Sequence, residues 1–134
     1  VDNIFPDFVL GRNDVIKSAA DAVGGTNKVV LGPVTGLDAG ATPGFSVHLL
    51  DVAWAHVKFL DRNVPGNRGY RLISGGVEGT RWEDMFSIVK ASFPEAVRIG
   101  AVSMDGKISS VPLNIDSSET ERVLGFKHKS LRNR

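Results

Sequence analysis

Apolar positions recur along this chain in short runs, and several of the runs have a helical period. The clearest is Trp82, Met85, Phe86, Val89 and Phe93, at offsets 0, 3, 4, 7 and 11, the spacing of one buried helical face. Thr80 with Glu83 makes a capping-box pattern ahead of it. Pro94 prevents its continuation. A second helix is expected over Asp51–Leu60, with Asp51 as its cap and Leu50, Ala53, Trp54, Val57 and Leu60 on one buried face. A third, carrying Val15, Ile16, Ala19, Ala20 and Val23, is expected to start from a cap at Asn13 or Asp14 and to stop at Gly24-Gly25. Ser118 with Glu121 marks a short last helix that ends at Gly125.

Between these lie strand signals. Ile4–Leu10 reads as a strand, placed at an edge or interrupted by Pro6, which has no ladder donor. Lys28–Leu31 and Tyr70–Ser74 are further strand candidates, and Val97–Val102 is expected to be extended. Gly32–Gly44 holds four glycines and two prolines in thirteen residues, a loop by composition. The pattern has no internal repeat and no low-complexity tract.

Composition narrows the class without naming a function. A chain of 134 residues fits one domain and can bury roughly two-thirds of its unfolded surface. A formal net charge of +1 gives no general case for nucleic acid or membrane partners. No apolar run approaches the roughly 20 residues that span a bilayer, and no signal peptide is visible. The absence of cysteine excludes disulfides and thiolate metal sites and fits a reducing, cytoplasmic setting. The chain begins Val-Asp-Asn-Ile-Phe-Pro without methionine, a start expected of the interior of a longer protein.

Candidate chemistry is thin. Gly75-Gly76-Val77-Glu78-Gly79 lies between a strand and a helix but lacks the spacing of a dinucleotide fingerprint, so a tight bend is expected there. No Gly-Lys-Ser/Thr follows the glycines of 32–44, which excludes a P-loop. His48, Asp51 and His56 cluster in sequence. Five helical residues turn His56 about 140° away from Asp51, so one face cannot present both to a metal. Structural roles are expected for all three. Lys127, Lys129, Arg132 and Arg134 form a basic tail without interleaved aromatics, a solvated end rather than a nucleic-acid site. The carboxylates show no acid/base pairing, and no Gly-x-Ser-x-Gly elbow occurs.

Four segments in order resemble the extended short-chain dehydrogenase/reductases. Phe5–Gly11 is similar to that family's "Asn-Pro-x-Phe-Val-Phe-Gly-Pro" strand and loop. Val47–His56 resembles "hydrophobic-His-Val-x-Asp-Val-Ala-x-Ala-His", and Asn67–Phe93 its "Gly-x-Arg-Tyr-x-x-Ser" strand with the "x-Trp-x-Asp-Ile" helix. Ile115–Leu131 resembles the closing "Leu-Gly-Phe-Lys-x-x-Ser-Leu" segment. Arg12 departs from the family's proline after Gly11, and Leu50 stands where aspartate or arginine is common. The closest flavour is the fungal and plant branch of aldehyde (methylglyoxal), cinnamoyl-CoA and dihydroflavonol reductases.

The resemblance implies an α/β fold, the C-terminal portion of a Rossmann-type extended short-chain reductase with few strands and several helices. It implies a single substrate-binding domain over 1–134, a fragment lacking the dinucleotide-binding half. The parent would reduce a small-molecule aldehyde or ketone with NADP(H). Its Tyr-x-x-x-Lys pair and glycine-rich fingerprint are absent here: the one tyrosine, Tyr70, is followed four residues on by Ser74. No catalytic residue, no metal and no cofactor bound to the chain alone are therefore expected. Pro6, Asp7 and Phe8 would lie on the cofactor side, and self-association through exposed strand edges is expected. The alternative is a stand-alone, non-catalytic α/β module that binds a ligand or partner.

Overall fold

All three strand pairings among the described residues are parallel, so each needs a crossover rather than a hairpin. The α/β class expected from the sequence is the class found. The computed structural model describes every residue except 1, 2, 7, 13, 19, 20, 22, 23 and 134. Its chain divides into two compact units.

The first unit comprises Val1–Arg12, Phe45–Thr80 and Pro112–Arg134. Strand β1 (Asn3–Pro6) pairs with a later strand spanning Gly69–Leu72, in register from Asn3 opposite Gly69 to Pro6 opposite Leu72. The ladder stops at Pro6, and the chain resumes as β2 (Val9–Leu10), so the single strand expected over Ile4–Leu10 is interrupted as its proline requires. In the second unit (Asn13–Gly44 and Arg81–Val111) lie α1 (Lys28–Val34) and β3 (Asp38–Pro43). Back in the first unit, β4 (Val47–His48) pairs with β2 and runs directly into α2 (Leu49–Lys58). The Gly69–Leu72 strand is then β5. The second unit continues with α3 (Asp84–Ser92), α4 (Pro94–Arg98) and β6 (Lys107–Val111), the partner of β3. Helix α5 (Ser118–Leu124) returns to the first.

The core of the first unit is Val47, Ala55, Leu72 and Leu124, flanked by Val9, Val52, Phe59, Val64, Val123 and Phe126. Tyr70 packs its ring on Phe59 at 4.6 Å between centroids and donates its hydroxyl to the carbonyl of Pro65. In the second unit Trp82 is fully buried; its indole donates to the Pro43 carbonyl at 2.8 Å and its backbone N–H to Ser110 Oγ at 2.7 Å. The Glu83 carboxylate accepts from the N–H and hydroxyl of Ser110 at 2.8 and 2.7 Å. The Ser110 hydroxyl bond above all holds that carboxyl below its ordinary value.

Several local expectations are corrected. Lys28–Leu31 is helical, not extended, because Val29, Pro33 and Val34 make one buried helical face that overrides the β-branched preference. The turn at Gly36, with φ +94°, closes this helix by a bond from Leu37 N–H to Gly32 C=O. The glycine-rich stretch is then strand β3 rather than loop, held by its backbone ladder to β6 although most of its side chains are exposed. Pro94 stops α3 but also opens α4 at its first turn, so the extended segment expected at Val97–Val102 is helix and turn. Ala19, Ala20 and Val23 of the helix expected from Asn13 or Asp14 lie outside the described residues. Asn13 is also outside them, Asp14 and Val15 form a turn, and Ser18 and Asp21 exchange reciprocal capping bonds of 2.9 and 3.2 Å.

The largest correction concerns α2. Leu50, Val57 and Leu60 are 59%, 66% and 82% exposed, and Trp54 is 37% exposed. The inward face is Asp51 and Ala55, with Val52 and Phe59 beside them. The helix is apolar on two sides, and periodicity selected the outer one.

Gly106 is fixed by space. A Cβ there would lie 2.2 Å from the carbonyl oxygen of Pro33 and 2.4 Å from that of Leu37, both backbone atoms. Gly106→Ala is expected to destabilise the chain by about 2–4 kcal/mol, read as a lower urea midpoint with an unchanged slope.

Candidate functional site

Parallel strands share a carboxyl end, and ligands of open α/β sheets bind outside it. The segment after β1 and the segment after β5 therefore border the candidate site. Pro6 closes β1 opposite Leu72, Asp7 lies outside the described residues, and Phe8 follows at φ +30°. That conformation is rare for an aromatic residue. The Phe8 ring stacks on Phe45 at 5.4 Å between centroids with 29° between planes. Its carbonyl accepts from Val47 N–H at 3.4 Å. The turn is thus braced on both its side chain and its backbone, which is how a costly conformation persists.

After β5 the chain is equally constrained. Ser74 donates its N–H and its hydroxyl to the Ser46 carbonyl, at 2.9 and 3.1 Å. The hydroxyls of Ser46 and Thr80 bond to one another. Ser117 Oγ donates to the Ile73 carbonyl at 2.7 Å. Gly75 has φ +92°, and a Cβ on it would lie 2.1 Å from Gly79 O, so the two glycines close a tight bend around the short 3-10 turn Gly76–Glu78. The bend expected from Gly75–Gly79 is found. Thr80 does not cap the following helix, because its hydroxyl is taken by Ser46.

This arrangement offers an apolar aromatic edge and a floor of engaged hydroxyls. Tyr70 is 1% exposed and committed to Pro65. Of the three residues that cluster in sequence, His48 caps α2 through Nδ1, accepting from Leu50 N–H at 3.0 Å. This displaces Asp51 from the role expected of it. Asp51 is instead 3% exposed and takes Lys129, at 2.8 Å from its N–H and 2.9 Å from Nζ. His56 Nδ1 bonds the Val52 carbonyl at 2.7 Å. Among the described residues no three His, Asp or Glu side chains gather as metal ligands.

Phe45 and Ser46 at this site were not legible from the sequence. Phe45 carried one available signal, an aromatic residue just before the short strand that resembles the family. Replacing the cap tests the corrected assignment: His48→Ala is expected to cost about 1 kcal/mol while His48→Asn keeps most of it, both read by chemical denaturation.

No family model matches the chain. It is 32% identical over 133 residues to "Ketoreductase CTB6" of Cercospora nicotianae, covering 94% of the chain and 36% of that protein. The same figures hold for "Ketoreductase CTB6" of Cercospora beticola. The chain thus spans about a third of the length of these curated relatives. Its structure matches that of Gre2 from Candida albicans with a TM-score of 0.68 and 19% identity, over 98% of the chain and 40% of Gre2.

Proposed function

We propose that this chain, which belongs in sequence and fold with the C-terminal portion of the extended short-chain dehydrogenase/reductases, is the substrate-binding part of an NADPH-dependent carbonyl reductase. The observation that carries the reading is the 32% identity to ketoreductases along 94% of the chain. The substrate is a small aldehyde or ketone.

The geometry supports a share in the cofactor site rather than the whole of it. Pro6, Asp7 and Phe8 are the cofactor-side candidates; Pro6 ends β1, and Phe8 is half-buried beside Phe45. An aromatic edge of this kind fits the flat, apolar side of a nicotinamide ring. No glycine-rich fingerprint is present to cradle a pyrophosphate. In the parent the bound cofactor supplies hydride to the carbonyl carbon. This chain's own residues then border the reacting groups, exclude water and fix orientation.

Two outcomes follow. The isolated chain should show no NADPH oxidation with aldehydes or ketones, whereas the product of a longer reading frame should. That frame would carry roughly 150–200 further residues with Gly-x-x-Gly-x-x-Gly and Tyr-x-x-x-Lys. Turnover by the 134-residue chain, or an inactive longer product, would overturn the reading. The isolated chain should also self-associate, since parallel pairs of two strands are normally parts of larger sheets. Sedimentation velocity should show a dimer or larger species, and a clean monomer at high concentration would contradict this.

A further inference from the structure

The segment Phe126–Lys129, which follows α5, is fastened to the first unit by an unusual economy of anchors. Five of its polar contacts converge on two carboxylates. Glu121 on α5 accepts from Lys127 Nζ at 2.6 Å, from the backbone N–H of His128 at 3.0 Å and bonds His128 Nδ1 at 3.0 Å. Asp51 in the first turn of α2 accepts the N–H and Nζ of Lys129 at 2.8 and 2.9 Å. Between these anchors Phe126 covers Trp54 at 4.7 Å between centroids, and the His128 ring meets Phe126 edge-on at 4.8 Å.

We propose that Phe126–Lys129 is a charge-held strap: with the anchoring charges of Asp51 and Glu121 removed by substitution, it opens ahead of the rest of its unit and enlarges the exposed Trp54 face of α2. Charge-assisted bonds are stronger than neutral ones, and here their carboxylate ends are the buried ones, while the Lys127 and Lys129 side chains are 84% and 40% exposed. The His128 side chain is 1% exposed and the Asp51 side chain 4%. The other charged groups nearby are committed elsewhere. Lys58 lies 5.2 Å above the Trp54 ring, and Glu119 pairs with Arg68 and Arg122 at 3.2 and 4.0 Å. Behind the strap, the turn at Gly125 is closed by backbone bonds from Gly125 and Phe126 N–H to Glu121 C=O. The hinge therefore survives when the strap lifts.

The consequence is a surface that changes character. Leu50, Val57 and Leu60 are already exposed and Trp54 is 37% exposed, and removing Phe126 adds the covered side of the Trp54 ring to that apolar stripe. Burial alone would raise the Glu121 carboxyl. The Lys127 ammonium, then the backbone N–H and ring of His128, more than offset it and hold the group below its ordinary value. The sign follows: its contribution is complete above the ordinary glutamate value and is lost as pH falls through the lower folded value.

Amide hydrogen exchange resolves the strap from the fold. In the wild-type chain near neutral pH, the His128 and Lys129 amides should be protected. In Asp51→Asn/Glu121→Gln these two should exchange at least about tenfold faster, while those of Tyr70 and Leu72 in β5 keep their protection. Lowering the pH of the wild type below the carboxylate range, with intrinsic rates corrected, should produce the same selective loss without any substitution. Two results would overturn the strap: unchanged protection of His128 and Lys129 in the variant and at low pH, or loss of their protection only together with that of β5.

Discussion

Parallel pairing between strands far apart in sequence is the constraint on which this molecule depends. A parallel ladder cannot be closed locally, so β1 finds β5 only after the chain has left the first unit, returned and passed through α2. The same holds for β2 with β4 and β3 with β6. Each unit is therefore assembled from separated stretches of chain. Loop-closure entropy is spent before any ladder forms, and the compensation comes from side chains that meet behind the ladders. Val47, Ala55, Leu72 and Leu124 do this in the first unit, from three separate elements and the helix that closes them. Trp82 does it in the second, tying Pro43 and Ser110 at the ends of β3 and β6.

The same constraint fixes the candidate site. With β1 and β5 parallel, the turns after Pro6 and Leu72 emerge at one end, and both are braced by hydrogen bonds into Phe45–Val47. A single short segment thus sets the position of both turns. Val47 and the following His48 form β4, and His48 also caps α2. This part of the molecule is built to hold geometry, since the buried hydroxyls of Ser46, Ser74, Thr80 and Ser117 all have partners in the fold.

What was legible in the sequence tracks the range of the forces involved. The helices at 49–58, 84–92 and 118–124 were visible because their apolar period and stop signals are local: Gly125 in the left-handed region, Pro94 after α3. The capping residues were misassigned, since cap geometry depends on where side chains are drawn from outside the helix. Thr80 goes to Ser46, Glu83 to Ser110, Glu121 to Lys127 and His128, and Asp51 to Lys129. Strands β3 and β6 were not visible because a glycine-rich strand with exposed side chains has no apolar alternation, only a backbone partner. At the site, Pro6, Asp7 and Phe8 were reachable through a family resemblance. The bracing by Phe45 and Ser46 was not, because it is tertiary.

Asp51 shows how a family motif can be right while its local reading is wrong. An aspartate at the start of an apolar helix reads as a cap, and the cap position one turn earlier is already filled by His48. Freed from that task, the carboxylate turns inward, and burial there is costly unless a cation meets it. Lys129, 78 residues away in sequence, supplies the cation and its own N–H. Asp51 shares the buried side of α2 with Ala55, and Trp54 lies on the exposed side. The side of the helix that packs Ala55, Val52 and Phe59 on the core also carries this buried charge, and Lys129 compensates it there.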